Sequence, residues 1–325
     1  MEFVLPINIP PLKKQISYRE GLFLVGSCFT EHIGDFLKDL KFPVLQNPHG
    51  IVFDPWSVSR NLLSYVDNRR YSEADLTFFH EMWHSWNHHS CFSDISQEDC
   101  LRRINAAQEK AHDFLGSARW LFITLGTSYS YRLAENNQPV ANCHRAPAQM
   151  FTKHMMTIEE IHVELDNCIH QLKRFNDKLE LIFTVSPVRH IRDGVVNNNR
   201  SKARLIEVVH HLVNKFDGIH YFPAYELMID ILRDHRFYDL DMVHPNYQAT
   251  SYILERFAEF AIDWPSRELM EEIKKIKIAR GHRAFQPDTQ AHRNFLKSHA
   301  EKVMHLMSQY PFLDLEEELA YFSGH

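Results

Sequence analysis

The feature that most constrains the fold is a series of short, predominantly apolar runs that alternate with helical patterns. The clearest are "RWLFITLG" (119–126) and "LELIFTVSP" (179–187), with shorter runs at 22–25, 42–48 and 218–225. Strands that are apolar at every position are buried on both faces, which is typical of a parallel sheet covered by helices. The alternation therefore predicts a doubly wound α/β domain.

The segments between these runs carry helix signals. Ile33, Phe36, Leu37 and Leu40 recur at the spacing of one helix face, and Thr157 with Glu160 forms a capping box. After residue 264 the pattern changes to two amphipathic helices, 266–282 and 292–307. We expect an α/β domain over residues 1–264 and a C-terminal helical extension over 265–325 that packs on it.

Composition limits the partners. The net charge of −6 disfavours nucleic acid, because phosphate binding requires a basic face. We read no signal peptide and no run of apolar residues long enough to span a membrane. The five cysteines are odd in number and widely spaced, with no Cys-x-x-Cys pair, which indicates free thiols and a cytoplasmic location. The sequence leaves the oligomeric state open.

Polar and small residues follow the predicted strands. The stretches are "GSCF", "NPHG", "LGTSYSYR" and "VSPVRH". Ligands of open parallel sheets bind beyond the carboxyl ends of the strands. We therefore expect these four stretches to converge on one crevice.

Ser27 lies where the first strand ends and a helix begins, in "FLVGSCFTEHIG" (23–34). The joint is either a tight turn of small residues or the site of a nucleophile whose oxyanion is stabilised by amides of the helix N-terminus. Cys28 is the rival nucleophile, since helix N-termini lower thiol pKa values. We expect Cys28 to point toward the core as a structural cysteine.

A nucleophilic serine needs a base and a group that orients the base. In "DLDMVHPNYQATSYIL" (239–254), His244 stands before a helix and Asp241 lies three residues earlier. One loop would present both side chains, with the carboxylate holding the imidazole. The alternative is that Asp241 caps a turn and His244 is an ordinary loop residue.

Two further segments are rich in polar groups. "VSPVRHIRDGVVNNNRSKAR" (185–204) is interpreted as a long loop after a strand, in which Arg189 and His190 bind a polar or anionic part of a substrate. "HEMWHSWNHHS" (80–90) suggests zinc, but no carboxylate-rich ligand set accompanies its histidines. A hairpin or pocket wall is the preferred interpretation, and no metal is assigned. His144 and Arg145 receive no role.

These motifs together resemble a known family. "GSCFTEHIG", "NPHGIVFDPWSV", "LGTSYSY", "VANCHRAP", "TVSPVRHIRDGVVNNNRSKA" and "FYDLDMVHPN" are similar, in this order, to the GSCFA family, within the SGNH/GDSL-like hydrolase superfamily. Thr30 stands where the family's name has Ala. The resemblance implies a flavodoxin-like three-layer α/β/α fold and ester chemistry without a cofactor. It implies Ser27 as nucleophile, His244 as base and Asp241 as its partner.

One block departs from the superfamily pattern. That pattern has an Asn that donates its amide to the oxyanion, and here the matching stretch is Gly126-Thr127-Ser128. Either Thr127 or Ser128 replaces it, or Asn47 or Gly50 of "NPHG" supplies the contact, or the oxyanion hole is weaker. Loss of one such donor costs roughly a hundred- to a thousand-fold in rate.

The function expected from the sequence is that of a serine esterase or acyl hydrolase acting on an ester of a glycan or small molecule, for example an O-acetyl ester. An acyltransferase would use the same three residues. The alternative from another class is a ligand-binding member of the fold with weak catalysis, which the departure at Gly126-Thr127-Ser128 favours.

Overall fold

The computed structural model describes residues 5–283 and 285–324. Within them the strands are, in chain order, β1 (Leu22–Gly26), β2 (Val44–Gln46), β3 (Thr77–Phe79), β4 (Met82–His84), β5 (Trp120–Leu125), β6 (Tyr129–Leu133), β7 (Pro139–Val140), β8 (Phe151–Met155), β9 (Glu180–Val185) and β10 (Ile219–Tyr221). The helices are α1 (Cys28–Asp39), α2 (Pro55–Val66), α3 (Gln97–Ser117), α4 (Ile158–Phe175), α5 (Val195–Lys215), α6 (Ala224–Glu226), α7 (Tyr247–Ala261), α8 (Trp264–Gly281), α9 (Gln290–Gln309) and α10 (Glu316–Ser323).

The central sheet has the strand order β10-β9-β5-β1-β2, and each neighbouring pair is parallel. Strands β1 and β5 lie at its centre and are buried at every residue. This burial explains their almost entirely apolar sequences, because helices cover both faces of the sheet. The predicted three-layer α/β/α fold is confirmed.

Alternate residues of β1 face two separate apolar cores. Leu22 and Leu24 join the core that contains α1 and α7. Phe23 and Val25 join the core on the other face, which contains α2, α4 and α5. The two-residue period of a strand therefore divides the helices into two layers.

The C-terminal helices extend the first of these cores. Ile273 of α8, Val303 of α9 and Phe322 of α10 belong to the same cluster as α1 and α7. Ion pairs link this region to the end of α1, among them Lys277 with Asp39 at 2.6 Å. The sequence predicted α8 and α9 but not α10. The division into units at residue 264 remains a prediction.

Two other elements differ from the sequence prediction. Strands β6, β7 and β8 form a small antiparallel sheet that the sequence did not indicate. The segment interpreted as a loop through residue 204 is a loop only to Gly194, where α5 begins. Asn198, Ser201 and Lys202 are buried on this helix. The inward face of its first turns is polar, so the apolar periodicity that identifies a helix begins only at Leu205.

In the described part of the chain, every helix is too short or too polar to cross a bilayer.

Gly26 lies at the end of β1, directly before Ser27, with φ at +146°. A Cβ there would lie 2.3 Å from the carbonyl oxygen of Thr124 and 2.8 Å from Thr30 Oγ1. We expect Gly26→Ala to lower the free energy of unfolding by roughly 3 kcal/mol or more, through backbone strain and displacement of β5. Urea unfolding followed by circular dichroism measures this change.

Gly116→Ala in α3 is the matched control. A Cβ at this helical position meets only ordinary contacts, the nearest at 3.5 Å from Phe175. We expect it to be neutral or stabilising by up to ~1 kcal/mol. Equal effects of the two substitutions would show that the Gly26 backbone carries no special constraint.

Candidate active site

Ser27 joins the end of β1 to the first turn of α1. Its backbone N–H donates to Thr124 O at 3.1 Å, which continues the pairing of β1 with β5. Its Oγ accepts a hydrogen bond from Phe29 N at 3.3 Å, so the side chain caps the helix. The residue is only 4% exposed. The hydroxyl is thus placed at a helix N-terminus, where a developing negative charge is favoured.

The strand ends predicted to converge lie next to one another. Asn47, after β2, accepts the N–H of Gly26 on its Oδ1 at 3.0 Å. Gly126, after β5, is so close that a Cβ there would be 3.4 Å from that of Ser27. Ser186, after β9, donates its N–H to Leu125 O at 2.8 Å. Neighbouring strands of a parallel sheet end at the same edge, and this edge forms the crevice.

Asp241 and His244 form a hydrogen-bonded pair in the loop before α7. His244 Nδ1 lies 2.6 Å from Asp241 Oδ2, and the other carboxylate oxygen accepts the N–H groups of Val243 at 2.8 Å and of His244 at 3.0 Å. The bond to the imidazole, followed by these two amides, lowers the pKa of Asp241 to about 2. The carboxylate is therefore ionised at neutral pH and fixes the ring orientation.

The loop after β9 is hydrogen-bonded to the loop that contains Asp241 and His244. Arg189 donates its backbone N–H to Val243 O at 3.2 Å and a guanidinium N–H to Met242 O at 3.3 Å. The guanidinium also lies over the ring of Tyr238, 4.1 Å from its centroid. Arg189 was predicted to bind substrate. In the structure its guanidinium contacts other parts of the protein instead, namely Met242 O and the ring of Tyr238. These contacts place the Asp241–His244 loop beside the crevice.

His190 faces the crevice from the same loop. Its ring centroid is 6.2 Å from that of Phe53, whose backbone oxygen accepts the N–H of Gly126 at 2.7 Å. Among the described residues, no hydrogen bond joins the Ser27 hydroxyl to the His244 ring, and His244 Nε2 makes none. The Asp241–His244 loop thus contacts the loop that follows β9, and Ser27 Oγ is bonded to its own helix through Phe29 N.

Most of the candidate oxyanion donors are engaged within the protein. The side chains of Thr127 and Ser128 bond Ser201 Oγ on α5 at 2.9 and 3.1 Å. The N–H of Gly126 donates to Phe53 O, and that of Gly50 donates to Asn47 O at 2.7 Å. These groups shape the loops around Ser27.

Asn47 differs from the other candidates. Because the N–H of Gly26 needs an acceptor, the side-chain atom of Asn47 that it contacts must be the oxygen. The other terminal atom of the side chain is therefore the Nδ2 amide. This amide is buried and has no hydrogen-bond partner in the described part of the chain. Asn47 therefore presents a buried, unpaired donor on the side chain that holds Gly26, the residue directly before Ser27.

Cys28 is half-buried, whereas the sequence interpretation placed it in the core. It occupies the first helical position, which turns its side chain only partly inward. Burial and the nearby carboxylate of Glu31 raise its pKa. The thiol is therefore protonated at neutral pH, which argues against Cys28 as the nucleophile.

The histidine-rich segment (80–90) contains the turn and second strand of the antiparallel β3–β4 hairpin, and the residues after that hairpin contact the loop of Asn47. A Cβ at Gly50 would lie 2.1 Å from that of His89, and His89 donates its N–H to His49 O at 2.9 Å. The buried rings of His49 and His88 lie with centroids 4.2 Å apart. No group of three or more His, Cys, Asp or Glu within residues 5–283 and 285–324 is arranged to hold a metal ion.

Two buried imidazoles, those of His49 and His144, make the stability of the fold sensitive to acid. Burial lowers the pKa of His49 from its ordinary 6.5 to about 3 and that of His144 to about 4. The unfolded chain binds protons that the folded state excludes, so stability present above pH 6.5 is lost as the pH falls toward these values. We expect His49→Phe to reduce this loss by about 1 kcal/mol per pH unit.

Urea unfolding between about pH 4.5 and 7 measures that slope. A phenyl ring retains the aromatic contacts of His49 with Tyr65 and His88 but does not titrate. His305→Gln, at an exposed position on α9, is the control and is expected to leave the slope unchanged. If the free energy of unfolding depends on pH equally in wild type and His49→Phe, His49 is not the source of the acid sensitivity.

The geometry defines a class of protein. It is an α/β/α domain with a serine at the joint of β1 and α1, and an Asp–His pair in a loop that the segment after β9 contacts. The model of the GSCFA family matches residues 21–257, and that of the GSCFA domain protein, C-terminal domain, matches residues 273–324. The chain belongs to the GSCFA family.

The solved structures to which this chain is similar have low sequence identity. A carbohydrate esterase family 3 protein from Talaromyces cellulolyticus is 8% identical, with a TM-score of 0.37, over 79% of this chain and 99% of that one. A family 3 carbohydrate esterase from Clostridium thermocellum is 9% identical, with a TM-score of 0.35, over 78% and 97%. An acetyl xylan esterase from Butyrivibrio proteoclasticus is 9% identical, with a TM-score of 0.35, over 75% and 64%. No curated protein matches the sequence.

Proposed function

We propose that this protein is an SGNH-type serine hydrolase of ester bonds, with Ser27 as nucleophile, His244 as base and Asp241 as its orienting partner. The observation that carries the proposal is the 2.6 Å bond between His244 Nδ1 and Asp241 Oδ2 at the sheet edge where Ser27 caps α1. The carboxylate holds the ring in the tautomer that leaves Nε2 free to accept a proton.

In the proposed reaction, Ser27 Oγ attacks the ester carbonyl carbon and its proton passes to His244 Nε2. The tetrahedral intermediate collapses when the C–O bond of the alcohol breaks and the alcohol takes that proton. A water then loses a proton to His244, attacks the acyl group and releases the acid, and the proton returns to Ser27. The attack requires Ser27 Oγ to exchange its bond with Phe29 N for one with His244.

The proposed oxyanion donors are Asn47 Nδ2 and the backbone N–H of Cys28 at the start of α1. Asn47 supports this role because its oxygen is fixed on Gly26 N and its amide is otherwise unpaired. Donors that are already oriented stabilise charge without reorganisation during the reaction. This assignment answers the departure at Gly126-Thr127-Ser128, since the amide comes from the loop after β2 instead.

The proposed substrate is an ester with a small acyl group, such as an O-acetyl ester of a glycan or small molecule. Ser27 is 4% exposed, with Gly126 against its side chain, so the nucleophile is accessible only through a narrow opening. His244 and Asp241 are about half exposed, which leaves room for a larger alcohol on the base side.

A second candidate is a ligand-binding protein with weak catalysis. It is favoured by the bond of Ser27 Oγ to Phe29 N and by the lack of a hydrogen bond between Ser27 and His244 among the described residues. The two candidates share the fold and crevice. Reactivity of Ser27 separates them.

The decisive variant is Ser27→Ala. We expect wild type to be labelled by a fluorophosphonate probe and to hydrolyse p-nitrophenyl acetate, and Ser27→Ala to lose labelling and at least about a thousand-fold in kcat/KM. Mass spectrometry of the labelled peptide identifies the residue. Cys28→Ala is the control and is expected to retain labelling. Probe attached at Cys28, or a wild type with neither labelling nor turnover, would contradict the proposal.

Asn47→Asp tests the oxyanion donor. Asp retains the side-chain oxygen for Gly26 N and tolerates the left-handed φ of 41° at this position, but it removes the amide. We expect kcat to fall roughly a hundred- to a thousand-fold with KM little changed. Steady-state kinetics measure this, and thermal unfolding checks that the fold is retained. A kcat within about threefold of wild type would exclude Asn47 as the donor.

A further inference from the structure

Lys202 is a buried cation with no acidic partner. It lies in α5, is 1% exposed, and its Nζ donates to Ser186 O at 2.6 Å. Within residues 5–283 and 285–324, no carboxylate lies within ion-pair distance of it. A buried ammonium without an acid is costly, and methionine of similar size would fill the space without that cost.

The position of Lys202 relates it to the proposed site. Its positive charge acts to lower the pKa of Cys28, the residue after Ser27, and that of His190, which lies in the loop after β9. Its neighbour Ser201 bonds Thr127 and Ser128, and Ser186 is the residue that follows β9. Lys202 therefore lies beneath the strand ends that position Ser27.

We propose that Lys202 contributes to the ester hydrolysis by supplying a buried positive charge near the strand ends that carry Ser27. The inference rests on the proposed function. A cation below the crevice stabilises the negative charge that develops on the carbonyl oxygen, and the low-dielectric surroundings strengthen this effect. Asn47 contacts the oxyanion directly, whereas Lys202 acts at a distance.

The role has a pH signature. Burial lowers the pKa of Lys202 to about 7, and the groups that face it are the thiol of Cys28, His190 and the ring of Tyr225. Lys202 is charged below this pH and neutral above it. Its contribution to the rate is therefore present in mildly acidic solution and is lost as the pH rises past about 7.

The test compares wild type, Lys202→Met and Lys215→Met for p-nitrophenyl acetate hydrolysis between about pH 6 and 9. We expect Lys202→Met to have a kcat roughly tenfold below wild type at the acidic end and nearly equal to it at the alkaline end. Lys215, at the exposed end of the same helix, pairs with Asp166 on α4. Lys215→Met is expected to follow wild type throughout.

The outcomes are distinct. Parallel pH profiles for wild type and Lys202→Met, whether equal or separated by a constant factor, would overturn the electrostatic role. A wild type without Ser27-dependent turnover would overturn the proposed function and this inference with it. If Lys202→Met fails to fold, Lys202→Gln, which is also neutral, takes its place in the same comparison.

Discussion

The approach of Gly26 to the backbone of β5 is the constraint on which the candidate site depends. At this point β1 must end and turn into α1 while still paired with Thr124, and there is no space for a side chain. The same residue donates its N–H to Asn47, which connects the loop after β2 to the segment that carries Ser27. One glycine thus determines the position of Ser27, the start of α1 and the orientation of the proposed oxyanion donor.

The loop that contains Asn47 also lies among buried polar side chains, including two histidines. His49 and His88 are fully buried, and their rings contact aromatic neighbours instead of water. Gly50 allows the segment after the β3–β4 hairpin to approach within a distance that excludes any side chain. Because buried imidazoles must remain neutral, the support of this loop weakens in acid before the apolar cores do. Stability and the proposed chemistry are therefore linked through one loop.

The sequence predicted those parts of the structure that follow from local pattern. The strands at the centre of the sheet are almost entirely apolar, and Asp241 lies three residues before His244, so both were recognisable. Strand β8 has three exposed polar residues in succession, and the start of α5 has a buried polar face. Neither has the periodicity that identifies a strand or helix in a sequence.

The candidate site was predictable to a similar degree and for a similar reason. Convergence of the strand ends follows from parallel topology, which the sequence indicated. The unpaired amide of Asn47 and the engagement of Thr127 and Ser128 with Ser201 depend on contacts between distant segments. The burial of Lys202 depends on where α5 begins, which the sequence interpretation placed too late.

The two sides of the proposed site differ in their exposure to water. Ser27 is buried at the strand end, whereas the Asp241–His244 pair is about half exposed. Water screens the pair, so the hold of Asp241 on the imidazolium is weaker than it would be in a covered site. A substrate that spans the crevice displaces this water and strengthens the pair as Ser27 begins to react. In the proposed reaction the alcohol part of the ester lies on this exposed side, so the substrate itself would complete the site.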